Sequence, residues 1–432
     1  MPDEAREIHR ERTTGAGPED VRRRNLSAIL RRVHVVGPSS RSDLAAHTGL
    51  NRSTVGALVA DLAARRLVRE RRPTRSGVPG RPSPVVEPRP DGVAVLAFEI
   101  FADSLAVATI GLGGRVLART RVDRTREPAS PEATVEALAA IARPLVNLAG
   151  DAPQIIAAGV AVAGVVRRED GFLAVAPNLG WHDVPLAALV RSRLAIDAPI
   201  LVGNDGDLAT LAEHIRGAGV GCDDFLCLWG EAGVGAGIIA GGRPLTGRSG
   251  FAGEVGHLPV NPEGRPCHCG ARGCWETEVG EEGLLRRAGW TGQVAGRHSI
   301  EALLADAELG DPLALEALAE VGRWLGIGLA GLVNVLDPGR VALGGLLART
   351  FPYIREPIER ELHERRMTDA RGPVEVVPAR LGVDGPLIGA AELAFASFIA
   401  DPATVPFEGR PSSTARPRPR GAKEVKPVVL AI

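Results

Sequence analysis

The chain contains one cluster of residues with the spacing of metal ligands. Its three cysteines follow a C-x-C-x4-C pattern and are Cys267, Cys269 and Cys274. His257 lies ten residues before the first of them. Structural zinc takes four tetrahedral nitrogen and sulfur ligands, and three thiolates with one imidazole supply this set. In a cytosolic protein, such a cluster indicates a metal ion before it indicates disulfides.

Two features of the loop favour zinc over the alternative of three unrelated buried thiols. Gly270 and Gly273 allow a tight turn, because glycine tolerates backbone conformations that are closed to other residues. His268 stands between two cysteines and would point elsewhere if both bind the ion, so His257 is the better fourth ligand. Four protein ligands leave no open coordination position, and we therefore predict a structural zinc ion with no direct part in catalysis.

The segment 20–88 predicts a winged helix-turn-helix, a mainly α-helical DNA-binding fold. Apolar residues at helical spacing between 21 and 33 indicate a first helix. Ser39, Ser40 and Ser42 offer N-caps for a short second helix, which Gly49 ends, and Asn51 caps a third. The Pro, Gly and Arg residues that follow predict a wing. The side chains expected to contact DNA are Ser42, Asn51, Arg52, Ser53, Thr54 and Arg81.

The charge distribution agrees with a DNA-binding head. Residues 1–90 contain 18 Arg and no Lys against 10 Asp and Glu, whereas the rest of the chain carries 33 basic and 42 acidic residues. In a winged helix, the third helix would place Arg52 in the major groove and the wing would place Arg81 in the minor groove. A basic head on an acidic body suggests that only the head meets a polyanion. The alternative is a small helical bundle with a solvated arginine-rich surface.

The remaining chain predicts an α/β body. From about residue 93, buried-strand patterns alternate with helical patterns. We divide this body into a first lobe at 93–203 and a second lobe at 204–400 that contains the zinc loop, with the last helix returning to the first lobe. The polar ends at 1–19 and 401–432 are expected to be flexible and disordered, respectively. No apolar run approaches the roughly 18 residues that span a membrane, so we predict a cytoplasmic protein with no membrane partner.

The chain resembles the ROK family (repressors, open reading frames, sugar kinases) over about residues 20–400. That resemblance implies an actin/hexokinase-like pair of α/β lobes with a cleft between them. The head described above is what the repressor branch adds, as in xylose and N-acetylglucosamine repressors. The motifs that carry the resemblance are PNLGW at 177–181, ND at 204–205, GVGAG at 233–237, GEVGH at 253–257 and the zinc loop at 267–274.

The resemblance also implies a sugar site in the cleft. Its residues would be Asn178, Asn204, Asp205, Glu254, His257 and Glu276. Carboxylates accept hydrogen bonds from hydroxyls, and an amide both donates and accepts, so these residue types suit a sugar. His257 would be shared, with one ring nitrogen on zinc and the other on the sugar. Without the resemblance, Glu254 and Glu276 would be read as surface charges.

The same resemblance allows a test for kinase activity, which needs a base and a cradle for the ATP phosphates. Asp205 could be the base, and the glycine run 233–237 resembles the family's second phosphate loop. The family's kinases carry D-x-G-G-T at the first strand turn, where this chain has the sequence Glu99-Ile100-Phe101-Ala102-Asp103. Both glycines are replaced and Asp103 adds a negative charge near the phosphates. We therefore predict a protein that is not an enzyme.

These observations together predict a sequence-specific transcriptional regulator, a repressor of sugar-utilisation genes, controlled by a sugar in the cleft. Its partners would be a double-stranded DNA operator and a small sugar, and two-fold operators favour a homodimer or a dimer of dimers. Two alternatives stay open. One is an ATP-dependent sugar kinase with an appended helical module, and the other is a DNA-binding protein that has lost its ligand.

Overall fold

The structure is a computed structural model that describes residues 17–71, 83–146, 153–194, 197–248, 250–290, 296–367, 372 and 374–404. The chain forms two compact units. The first comprises the residues up to Pro88 together with a C-terminal segment that begins at Phe398, and the second runs from Arg89 to Ser397. The C-terminal end of the described chain therefore belongs to the same unit as its beginning.

The N-terminal unit contains three helices and a small antiparallel sheet. The helices are α1 (Pro18–Val36), α2 (Arg41–Thr48) and α3 (Arg52–Ala64). The strands are β1 (Ser39–Ser40), β2 (Val68–Arg71) and β3 (Val85–Pro88), and β3 pairs with both others. The fully buried apolar side chains of the helices are Leu26, Ile29, Leu30, Val33, Leu44, Val55, Leu58, Val59 and Leu62. Val21, which shares their helical spacing, is instead exposed.

Residues at three positions set the two ends of α2 and the start of α3. Ser40 Oγ accepts a hydrogen bond from the N–H of Asp43 at 3.1 Å, so Ser40 is the serine that caps α2. Asn51 Oδ1 accepts from the N–H of Thr54 at 2.8 Å and caps α3. Gly49 ends α2 with φ +69°, in the left-handed region that glycine adopts without strain. The sequence therefore specifies this helix–turn–helix locally.

Both predicted boundaries at the chain ends need correction. Helix α1 begins at Pro18, inside the segment predicted to be flexible, because proline is favoured at the first helical position. Residues 401–404, predicted as part of a disordered tail, are ordered, and Asp401 accepts two hydrogen bonds from Arg23. Arg65 Nη1 also donates to the carbonyl oxygen of Ala403 at 3.2 Å. These long-range pairs have no signature in local composition. Residues 405–432 lie outside the described chain.

The second unit is built on two five-stranded sheets and one small three-stranded sheet. The first sheet has the order β11-β7-β4-β5-β6, the second β14-β13-β12-β15-β16, and the small one β10-β9-β8. Their strands are β4 (Val93–Ile100), β5 (Ser104–Gly111), β6 (Arg115–Asp123), β7 (Gln154–Val162), β8 (Val165–Arg167), β9 (Phe172–Ala176), β10 (Trp181–Val184), β11 (Ile200–Asn204), β12 (Phe225–Gly230), β13 (Val234–Ala240), β14 (Arg243–Pro244), β15 (Arg340–Gly345) and β16 (Glu375–Pro378). Each five-stranded sheet is the centre of one lobe.

Nine helices accompany these sheets in the described part of the second unit. They are α4 (Pro131–Val146), α5 (Leu186–Leu194), α6 (Asp205–Arg216), α7 (Trp275–Val279), α8 (Glu281–Arg287), α9 (Arg297–Glu308), α10 (Pro312–Leu336), α11 (Leu346–Arg365) and α12 (Gly385–Ala400). Helix α12 packs closely on the first lobe, since a Cβ on Gly159 of β7 would overlap the carbonyl oxygen of Ala390. It packs as closely on α6, where a Cβ on Gly389 would overlap the carbonyl oxygen of Leu208.

Two segments are long and apolar enough to cross a membrane, Pro312–Leu336 and Gly382–Ala400. This qualifies the expectation that no apolar stretch reaches that length. However, 56% and 61% of their apolar windows are buried within the protein. Helix α10 packs along α11, and side chains such as Leu325 and Leu329 are fully buried in the second lobe. Their apolar character therefore matches that of core helices.

Candidate metal centre and inter-lobe cleft

The four predicted zinc ligands converge in the structure. The ligand atoms of His257, Cys267, Cys269 and Cys274 all lie within 4.8 Å of one another. Cys269 Sγ and Cys274 Sγ are 3.7 Å apart, and Cys267 Sγ is 3.8 Å from His257 Nδ1. Tetrahedral zinc with bonds of about 2.3 Å to sulfur separates two sulfur ligands by about 3.8 Å, so these residues fit the ion.

Backbone hydrogen bonds hold the cysteines in a tight loop. The N–H of Cys267 donates to the carbonyl of Ala271 at 2.8 Å, and the N–H of Gly273 donates to that of Arg265 at 2.8 Å. Cys274 is the residue directly before α7, so the loop continues into a helix at its last thiol. The side chain of His268 is exposed and does not belong to the cluster. The group that could hold a metal ion is therefore a His/Cys3 set, with the residues that the spacing predicts.

Glu276, predicted to bind sugar, lies against this cluster. Its Oε1 atom is 2.9 Å from Cys267 Sγ and 3.6 Å from His257 Nδ1. Its other oxygen, Oε2, would be 2.8 Å from a Cβ placed on Gly233, and Asn178 Nδ2 would be 3.7 Å from that same point. Asn178 and Glu276 therefore approach one spot, and Glu276 links that spot to the metal cluster.

Asn204 and Asp205 lie where β11 ends and α6 begins. Asn204 Oδ1 accepts hydrogen bonds from the N–H groups of Gly206 and Asp207, at 2.8 and 3.1 Å, and Nδ2 donates to the carbonyl of Gly164 at 3.0 Å. The amide of Asn204 therefore serves first as a helix cap. Such a cap fixes the position of the neighbouring Asp205 side chain.

The carboxyl groups near this helix start have perturbed acidities. Burial raises the pKa of Asp205 to about 6, and the nearby charges of Glu254 and Asp207 contribute to the rise. Desolvation also raises the pKa of Glu254, although the residue as a whole stays accessible, and His257 opposes that rise. Perturbed carboxyl groups gathered at one place are a common property of functional sites.

A small cavity marks the cleft at this point. It is lined by Gly164, Val165, Val166, Arg168, Asn204, Asp207, Ala236, Gly250, Phe251, Ala252 and Glu254. Its volume is only about 10 Å³, room for about one water molecule. Arg168, in the turn between β8 and β9, forms an ion pair of 2.6 Å with Asp207 of α6. This ion pair forms part of the wall of the cavity.

Sequence reasoning missed three side chains of this cavity. Arg168 stands in a polar strand turn and Asp207 in the first turn of a helix, both common places for solvated charges. Phe251 is 45% exposed on a loop before the GEVGH motif. An exposed aromatic residue among glycines was the one available signal for it. The larger cavity of the described chain, about 430 Å³, lies elsewhere on the first lobe and shares Arg168.

Most of the glycine run 233–237, which resembles the family's second phosphate loop, lies in a strand. Residues from Val234 onward belong to strand β13 and pair with β12. Close packing explains the glycines, because a Cβ on Gly237 would collide with the side chain of Thr210 in α6. Only Gly233 belongs to the turn between the two strands. A glycine run in a strand indicates close approach of a neighbouring element as often as it indicates a loop.

The carboxylates at the turn after β4 form ion pairs with arginines. They are therefore not free negative charges that would repel a phosphate group. Glu99 is fully buried in β4 and forms an ion pair with Arg121. Asp103, expected to repel phosphate, lies 3.3 Å from Arg126 Nη2 and is therefore neutralised. Phe101 is 6% exposed and fills the turn with a ring. The turn after β4 therefore holds a buried ring and two ion-paired carboxylates.

In the N-terminal unit, the residues predicted to contact DNA cluster at the start of α3. Arg52 and Ser53 are exposed, and Ser53 Oγ donates to Asn51 Oδ1 at 2.7 Å. Asn51 is committed to capping, and Thr54 provides the capped N–H. Ser42 lies in the first turn of α2. The predicted wing residue Arg81 lies outside the described residues.

Comparison with known proteins places the body in a family. The family model described as "ROK family" matches residues 95–397. The chain belongs to the ROK family. Its two sheet-centred lobes are the actin/hexokinase-like ROK fold, and the expectation drawn from the sequence motifs is confirmed for the body.

Relatives of this ROK protein include both kinases and repressors. A glucokinase of Streptomyces coelicolor is 31% identical over 320 residues, which cover 69% of this chain and 96% of the glucokinase. The xylose repressor of Bacillus subtilis is 27% identical over 382 residues, which cover 88% of this chain and 97% of the repressor. The repressor match thus extends over more of the chain than the ROK body alone.

A solved structure shows the same fold over most of the chain. It is a ROK family transcriptional regulator described as a homologue of the Escherichia coli MLC protein. Its TM-score is 0.72 at 24% identity, with 88% of this chain and 97% of that chain covered. At this identity the comparison establishes the fold only.

Proposed function

We propose that this ROK protein is a DNA-binding transcriptional regulator, a repressor controlled by a sugar in the cleft of its body. The observation that carries the proposal is the N-terminal unit, where α2, a glycine turn and α3 are followed by the antiparallel strands β2 and β3. This arrangement supports the winged helix-turn-helix predicted for 20–88. Its contact residues would be Ser42, Asn51, Arg52, Ser53, Thr54 and Arg81, and the match to a repressor over 88% of the chain supports this role.

The sugar would bind where the cleft carboxyls and amides meet. The proposed contacts are Asn178, Asn204, Asp205, Glu254, His257 and Glu276. Zinc would act as scaffold, because the His/Cys3 set fills all four positions and Glu276 touches one of its thiols. His257 would present Nδ1 to the metal and leave its other ring nitrogen for the ligand. Ligand and metal loop would then move together.

The proposed partners follow from this role. A double-stranded operator with two-fold symmetry requires paired heads, so we propose a homodimer or a dimer of dimers. The sugar can regulate DNA binding only if it binds the DNA-competent and incompetent shapes unequally. A regulator of genes for sugar use acts where the DNA is, so we propose a cytoplasmic location.

A sugar kinase is the second candidate function. It is favoured by Asp205, whose pKa of about 6 suits a general base, and by the glucokinase relative. Against it stand the buried ring of Phe101 and the absence of the two glycines at the first strand turn. A third candidate is a DNA-binding protein without a ligand.

Two assays separate these functions. We expect a gel shift with DNA from upstream of the protein's own gene, changed by one sugar of a panel that includes glucose and xylose. We expect no sugar-dependent ADP release with ATP. ADP release that Asp205→Asn abolishes would establish the kinase instead. A shift that no sugar changes, together with silent calorimetric titrations, would establish the protein without a ligand.

Sugar binding is expected to depend on pH through Asp205. Because its pKa is raised from 3.8 to about 6, the carboxyl is mostly protonated near pH 5 and mostly ionised near pH 7. The ionised form accepts hydrogen bonds from sugar hydroxyls more strongly. We expect the association constant to rise about tenfold from pH 5 to pH 7. Calorimetric titration at each pH measures this, and Asp205→Asn should flatten the profile. An equally steep profile in Asp205→Asn would exclude Asp205 as the titrating group.

A further inference from the structure

Arg126 connects carboxylates that belong to different lobes. It lies between β6 and α4, in the first lobe. Its Nη2 atom is 3.3 Å from Asp103 Oδ2, in the turn after β4, and 2.7 Å from Glu281 Oε2, at the start of α8 in the second lobe. One guanidinium nitrogen therefore bridges the two lobes. We call Arg126, Asp103 and Glu281 the latch.

The latch is largely withdrawn from water but incompletely hydrogen-bonded. The side chains of Arg126 and Asp103 are 22% and 20% exposed, and that of Glu281 is 4% exposed. Arg126 Nε and Glu281 Oε1 are buried and lack a hydrogen-bond partner among the described residues. Buried polar atoms without partners cost free energy that hydration would recover. Separation of the lobes would consequently expose the three side chains of the latch to water.

A further carboxyl fills the space beside the latch. Glu231 stands in the turn between β12 and β13, and its Oε1 atom would lie 2.7 Å from a Cβ on Gly345. Gly345 is the residue directly before α11, and the N-terminus of a helix favours an anion. The chain's own carboxyl group therefore occupies a place where this helix could meet an external anion.

The carboxyl groups in this region depend on nearby arginines for charge compensation. Burial raises the pKa of Glu231 to about 8, and Asp103, Glu99 and Glu281 each add to the rise while Arg297 opposes it. Glu99 is held by Arg121, which also reaches Asp384 near the start of α12. If Arg126 were absent, Asp103 and Glu281 would lose the ion-pair partner that they share. Such unpaired burial of like charges disfavours the closed arrangement.

We propose that Arg126 is a positioning residue that holds the two lobes of the body closed through its ion pairs with Asp103 and Glu281. The latch acts at a distance from the proposed sugar contacts and sets how often the cleft opens. Opening would widen access to the small cavity lined by Asn204 and Glu254.

Hydrogen–deuterium exchange on the full-length, zinc-loaded protein tests the latch without any ligand. In Arg126→Met, we expect amide exchange in residues 99–104 and 230–234 to accelerate at least tenfold. Arg126→Lys should retain part of the protection, because it keeps the charge. Arg143→Met is the matched control, since Arg143 pairs with Glu136 on an exposed face of the first lobe. It should exchange like the unaltered protein.

A double variant distinguishes a latch from general damage. If Arg126 and Glu281 act through one bond, Arg126→Met with Glu281→Gln should exchange no faster than the more affected single variant. Additive acceleration, or acceleration spread evenly over the whole body, would overturn the proposal, as would unchanged exchange in Arg126→Met. If Arg126→Met loses its structure globally, Glu281→Gln replaces it as the test. Glu281→Gln must then by itself accelerate amide exchange in residues 99–104 and 230–234. None of these readouts depends on whether the protein binds sugar or DNA.

Discussion

Loss of the metal ion is expected to lower the midpoint of thermal unfolding by on the order of 10 °C and to abolish sugar binding. The four ligand atoms in the segment from His257 to Cys274 lie within 4.8 Å of one another, so one ion would tie this segment together. Structural zinc contributes several kcal/mol or more to the folds that it organises. A loss of about 1 kcal/mol shifts the midpoint of a domain of this size by about 2–4 °C. Sugar binding fails as well, because His257 and Glu276 lose their positions.

Metal analysis and scanning calorimetry of Cys274→Ser measure this effect. The unaltered protein should contain one zinc ion per chain, and Cys274→Ser should contain less than a tenth of that. Cys222→Ser is the control, because Cys222 lies outside the cluster and its thiol contacts the carbonyl of Asp224. Equal midpoints for the two variants, or a metal-free protein with full stability, would contradict a structural zinc site.

Arg52→Ala is expected to weaken operator binding about 10- to 100-fold while leaving the fold intact. Arg52 is the exposed first residue of α3, and its side chain takes no part in the cap formed by Asn51. A bidentate arginine–guanine contact is worth about 1–3 kcal/mol of discrimination against a wrong base. The loss should therefore be larger for the operator than for random DNA.

Fluorescence anisotropy with operator and random duplexes at matched salt measures both affinities. Arg143→Ala removes the same charge from the body and serves as the control. If Arg52 contacts only phosphate, Arg52→Ala would weaken binding to both duplexes by the same factor. The number of counterions released on binding, which sets the salt dependence, would then fall by about one. Operator affinity equal to that of the control variant would show that α3 does not enter the groove.

Much of the site was predictable where spacing alone determines geometry. The C-x-C-x4-C pattern keeps the three thiols close together in the sequence. Short loops then bring them to the imidazole of His257. The caps Ser40 and Asn51 act on the N–H three residues ahead, and sequence is sufficient for such local bonds. The family motifs extended this to Asn204 and Asp205, whose place at a strand end follows from the alternation of strands and helices.

The remaining features depend on pairs that are distant in sequence. Arg126 meets Glu281, Arg168 meets Asp207, and Glu231 reaches Gly345, and no local pattern selects these partners. The glycine run in β13 shows a related difficulty. A missing side chain signals close approach, but the sequence does not show whether the approaching element is a ligand or a helix.

The return of residues 398–404 to the N-terminal unit has a consequence for biosynthesis. The ribosome makes α1, α2 and α3 first, yet Arg23 and Arg65 meet Asp401 and Ala403 only after the whole body has emerged. The head therefore reaches its final contacts last, although it is synthesised first. Prematurely terminated chains carry a head without its closing segment.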